Sequence, residues 1–98
     1  MKRVVITGLG IVSCLGNDRE SVTKSLKEGI SGIRYREDFA EMGLKCNVGA
    51  TLDIDPKEHI DRKIMRFMGP SASYAYIATD RAIADAGLTE EMVSNPRT

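Results

Sequence analysis

The stretch Lys2-Arg3-Val4-Val5-Ile6-Thr7-Gly8-Leu9-Gly10-Ile11-Val12 constrains the fold more than any other part of this chain. Val4, Val5 and Ile6 are consecutive β-branched residues, which suit a pleated strand and are stiff in a helix. An apolar run without polar alternation implies a strand covered on both faces, as in the middle of a mostly parallel sheet. Gly8 and Gly10 then let the backbone turn sharply or pass close to another segment. The segment reads as the central strand of a sheet, and most of that sheet is missing.

The order of the remaining elements supports this reading. Asn17 caps a predicted helix, with Glu20 completing a capping box, Val22 and Leu26 on one face, and Gly29 closing the end. Ile30-Ser31-Gly32-Ile33 turns the chain away, and Arg34 to Gly43 reads as a charged surface loop or irregular turn of helix. Leu44, Cys46, Val48, Ala50 and Leu52 then alternate with Lys45, Asn47, Gly49 and Thr51, the pattern of a half-buried strand away from the main sheet. Asp55-Pro56-Lys57-Glu58 starts a short helix through Asp61. The longest predicted helix runs from Pro70 to Ala86 and is ended by Gly87. Its small residues Ala72, Ala75, Thr79, Ala82 and Ala86 form a stripe suited to close approach, with Tyr76 and Ile83 filling space beside it. Thr89-Glu90-Glu91 starts one more turn.

This census is lopsided. A doubly covered strand needs neighbours on each side, and only one other strand candidate exists. An Ala-rich helix with few polar positions needs something to be buried beneath. Physical chemistry alone points to a piece of a larger α/β protein.

At 98 residues, with 42% apolar and 29% charged residues, the chain has a globular composition. Its 14 Lys/Arg balance 14 Asp/Glu, which gives no argument for nucleic acid or membrane as a partner. Cys14 and Cys46 are too few for a disulfide framework and read as buried free thiols of a reducing compartment. Met1-Lys2-Arg3, an apolar stretch and Ile11-Val12-Ser13-Cys14 also resemble a lipoprotein signal and cleavage box. The apolar core of that signal, Val4 to Gly10, is near the minimum length and holds Thr7 and two glycines, so export is the minor reading.

Each candidate for chemistry has a plainer structural reading. Gly8-Leu9-Gly10 after a strand suggests a dinucleotide loop, but the third glycine position of that fingerprint is Ser13, and no helix begins at the glycines. Cys14, Cys46 and His59 are too few for a structural zinc site, and neither thiol has a base beside it in sequence. In the acidic cluster Asp53, Asp55, Glu58 and Asp61, capping already accounts for two members. Arg62, Lys63 and Arg66 form the one basic cluster. If helical, Arg62 and Arg66 project one above the other with Lys63 alongside, a patch suited to an acidic protein or a phosphate. From spacing alone it reads as a solvated face.

Several stretches together resemble one family. Arg3-Val4-Val5-Ile6-Thr7-Gly8-Leu9-Gly10-Ile11-Val12-Ser13 with Leu15-Gly16-Asn17 is similar to the start of β-ketoacyl-acyl-carrier-protein synthases, the condensing enzymes of fatty-acid synthesis. Gly29-Ile30-Ser31-Gly32-Ile33 resembles the Gly-x-Ser-Gly-Ile turn of that family. Ile60-Asp61-Arg62-Lys63-Ile64-Met65-Arg66-Phe67-Met68 and Ala82-Ile83-Ala84-Asp85-Ala86-Gly87-Leu88 resemble later blocks, the first of them closest to the type I branch.

The resemblance implies the N-terminal part of a thiolase-like α/β fold: one central strand, an excursion with a second strand, and packing helices. Residues 1–98 would form part of the N-terminal half of a β-ketoacyl synthase domain, truncated before the remaining core strands. Family members attack an acyl thioester with a cysteine, decarboxylate malonyl-carrier protein and condense the two, using two histidines and an oxyanion site. Neither Cys14, Cys46 nor His59 matches those catalytic positions, so these residues alone are expected to be inactive. The resemblance further implies a cytoplasmic homodimer as the full-length parent, with no metal or bound organic cofactor. It implies acyl-carrier protein as partner, docked by Arg62, Lys63 and Arg66, with Lys45 matching a nearby basic position. The alternative is a stand-alone, non-catalytic carrier-protein-binding module.

Overall fold

The computed structural model describes residues 1–98, which divide into two compact units, residues 13–54 and residues 1–12 with 55–98. In the first unit, helix α1 (Arg19–Glu28) is followed by strand β1 (Ile33–Tyr35), helix α2 (Glu37–Glu41) and strand β2 (Val48–Ala50). The N-cap of α1 is Asp18, one residue beyond the expected Asn17. Its carboxylate accepts from the Ser21 N–H at 2.7 Å and the Ser21 hydroxyl at 2.9 Å, satisfying an amide that the first helical turn leaves without a partner. Asn17 instead donates its side-chain amide to the Asp53 carbonyl at 2.9 Å. Ser25, nearly buried on α1, donates to the Leu15 carbonyl at 2.9 Å, so its hydroxyl enters the interior paired.

The two strands form an antiparallel pair with Ile33 opposite Ala50, Arg34 opposite Gly49 and Tyr35 opposite Val48. Arg36 N–H extends the ladder to the Asn47 carbonyl at 2.7 Å before its residue begins α2. The sheet stops there because the backbone enters the helix. Gly49 lies under Phe39 of α2: a Cβ on Gly49 would stand 3.1 Å from the ring. Two expectations are corrected here. The strand expected from Leu44 to Leu52 shrinks to three residues, and its apolar face is not buried, since Leu44 and Val48 are about half exposed. Cys46 lies on that uncovered face and is exposed, as is Cys14, so neither is a core thiol.

In the second unit, a 3₁₀ turn (Pro56–Glu58) leads to helix α3 (Arg62–Met65), the long helix α4 (Pro70–Ala86) and helix α5 (Glu90–Val93). Asp55, Asp61 and Thr89 cap the 3₁₀ turn, α3 and α5 through hydrogen bonds to Lys57, Lys63 and Met92 N–H. Helix α4 follows its sequence signals residue for residue, with Pro70 at its first position and Gly87 closing it in the left-handed conformation at φ 67°. The 3₁₀ turn packs against α4.

The glycine-rich N-terminal segment also lies on α4. A Cβ on Gly10 would clash with the Ala78 carbonyl oxygen, and one on Gly8 would meet Ala82 and Ala86. Backbone therefore touches backbone along Ala78, Ala82 and Ala86, one face of the helix at four-residue spacing. Of the expected stripe, Ala82 and Ala86 serve this close approach, together with Ala78, which the stripe did not include; Ala72, Ala75 and Thr79 are not part of the contact. Leu9 N–H donates to the Asp85 carboxylate at 2.9 Å.

Val4 to Ile6, expected as a doubly covered strand, pairs with no other strand of this chain. Val4 and Ile6 are each 93% exposed. The residues have strand character, but the chain supplies no ladder beside them. Coverage of α4 is equally partial: Ile77 is 3% exposed, whereas Tyr76 is 42% exposed. Ile60 and Ile77 are the only buried apolar side chains, and both belong to this unit.

Candidate functional site

The residues with the most chemistry to offer stand around α3. Asp61 ends the preceding turn in an extended conformation, and its carboxylate accepts from Lys63 N–H at 2.7 Å. That cap starts the helix at Arg62, and Arg66 closes it while still helical in backbone, with its N–H donating to the Arg62 carbonyl at 3.4 Å. Arg62 and Arg66 therefore stand one above the other, with Lys63 beside them, as the spacing implies. All three are exposed.

None of the three cations forms an ion pair within the chain, whose salt bridge is Arg36 with Asp38 at 2.6 Å. Three like charges on one turn repel one another, and an acidic partner relieves that repulsion on binding. The Arg66 guanidinium lies 4.7 Å from the centroid of the Phe67 ring, which is 81% exposed. Stacking on the ring holds the cation at the surface.

Lys45, the fourth predicted site residue, is exposed on the stretch between α2 and β2 and belongs to the other compact unit. The structure gathers Arg62, Lys63 and Arg66 on one turn.

Two features escaped sequence reading. An open groove of about 420 Å³ is lined by Lys57, Ile60, Arg62, Met65 and Arg66. A second concavity of about 380 Å³ is lined by Asp61, Arg62, Lys63 and Arg66. Arg62 and Arg66 border both, forming a ridge between them. The only signal in sequence was Ile60, an apolar residue between two capped turns.

The other candidates have structural roles. Gly8 and Gly10 allow close packing on α4, and the Leu9 N–H is occupied by the Asp85 carboxylate, where a bound phosphate would meet like charge. Asp55 and Asp61 are helix caps. Cys46 Sγ contacts the Val48 carbonyl at 3.6 Å, an acceptor that does not generate a thiolate.

The whole chain, residues 1–98, matches the family model for the beta-ketoacyl synthase, N-terminal domain. It is 54% identical over 98 residues to 3-oxoacyl-[acyl-carrier-protein] synthase 1 of Haemophilus influenzae, an alignment taking in 100% of this chain and 24% of that protein. Against the synthase 1 of Escherichia coli K12 it is 46% identical over 98 residues, 99% of this chain and 24% of the relative. Among solved structures it is similar to a beta-ketoacyl synthase from Burkholderia phymatum STM815. The TM-score is 0.80 at 35% identity, covering 93% of this chain and 23% of that one. The chain thus spans about a quarter of the length of the curated relatives it matches. Its elements are those of the N-terminal part of the thiolase-like α/β fold. The chain belongs to the beta-ketoacyl synthase family, matching the model of its N-terminal domain over residues 1–98.

Proposed function

We propose that the protein acts in fatty-acid synthesis as a condensing enzyme, joining acyl and malonyl groups carried on acyl-carrier protein with loss of carbon dioxide. Within it, the turn bearing Arg62, Lys63 and Arg66 docks the carrier, and Lys45 adds a further cation. The observation that carries this reading is the set of three exposed cations on one helical turn, free of any ion pair within the chain. Such a set attracts an acidic protein surface and sets its register. The names of the relatives, which specify acyl-carrier protein, support the same partner.

In this reading residues 1–98 contribute recognition and not the bond-making chemistry. Cys14 and Cys46 are exposed, and the Cys46 thiol donates to a backbone carbonyl rather than to a base that would activate it. The full-length protein works as a cytoplasmic homodimer. A stand-alone carrier-binding module is less well supported, because two buried apolar side chains make a very small core.

The test is steady-state kinetics of the full-length gene product carrying Arg62→Glu and Arg66→Glu. The apparent KM for acyl-carrier protein is expected to rise by about tenfold or more, as for reversal of interface charges. Turnover of the same acyl group as a coenzyme A thioester, which lacks the carrier, is expected to stay unchanged. An unaltered KM for the carrier would contradict docking at this turn.

A further inference from the structure

We draw no further inference here: the strongest candidate, the exposed apolar face of the β1–β2 sheet that carries Ile33, Tyr35, Val48 and Ala50 on the side away from Phe39, is a surface for which nothing in the structure shows what covers it.

Discussion

Gly10 and Ala78 meet backbone to backbone, so that a Cβ on Gly10 would clash with the Ala78 carbonyl oxygen. The contact ties the N-terminal segment to α4 across 68 residues of sequence (78 − 10). Gly10→Ala is therefore expected to destabilise the full-length gene product by about 1–3 kcal/mol, the range for overpacking a close contact. Because the obstructing atom is a backbone oxygen, Ala78→Gly is not expected to rescue it. Denaturant unfolding of the single and double variants tests this, and a rescue would contradict the geometry.

The hydrogen bond from Leu9 N–H to Asp85 fixes the same junction at 2.9 Å. Asp85→Ala is expected to cost about 1 kcal/mol, and Asp85→Asn, which retains an oxygen acceptor, less. Amide exchange at Leu9 should accelerate in the alanine variant. Unchanged exchange would show that the bond does not persist in solution.

Helix α1 depends on Asp18 rather than on the neighbouring Asn17. Asp18→Ala is expected to lower stability by about 0.5–2 kcal/mol, with Asp18→Ser retaining most of the cap. Thermal unfolding of the pair measures the difference, and equal losses in the two variants would argue against capping.

Arg36 holds Asp38 through two hydrogen bonds, Nε to Oδ1 at 2.8 Å and Nη2 to Oδ2 at 2.6 Å. This bonding to the guanidinium, with its charge, lowers the carboxyl below its ordinary value, while the partner guanidinium is raised. A lowered folded-state carboxyl contributes stability above its unfolded value, and that contribution disappears as pH falls through the folded value. A carbon-detected NMR titration of Asp38 should show the downward displacement, and Arg36→Gln should remove most of it, backbone N–H groups of Asp38 and Phe39 supplying the remainder. An Asp38 that titrates identically in both proteins would contradict the pairing.

Legibility in the sequence followed the range of the interactions. Helix α4 was readable because Pro70, the alanine stripe and Gly87 act locally. The partner of that stripe was half-readable: Gly8 and Gly10 announced a close approach but not to which segment. Strand β1 was missed because Ile33-Arg34-Tyr35 is too short to show alternation, and its pairing with Val48–Ala50 is a tertiary fact. The N-cap slipped from Asn17 to Asp18 because both residue types cap well and only the path of the chain to Asp53 separates them. Cys14 was misassigned because the expected strand it follows is itself uncovered, and Cys46 for a different reason. Alternation identifies a face, and here no second layer covers that face. At the site, the spacing of Arg62 and Arg66 was sufficient to align them, whereas the groove arises from the turn between Lys57 and Arg62 and has no periodic signature.

The central claim is that cations of one helical turn recognise the carrier, and its most direct test is the salt dependence of carrier affinity. Binding of acyl-carrier protein to the full-length gene product should be measured across ionic strength for the natural protein and for Arg62→Gln/Lys63→Gln/Arg66→Gln. Affinity of the natural protein is expected to fall steeply as salt shortens the screening length, while the neutral variant binds weakly with little salt dependence. A neutral variant that kept both the affinity and the salt response of the natural protein would contradict the account.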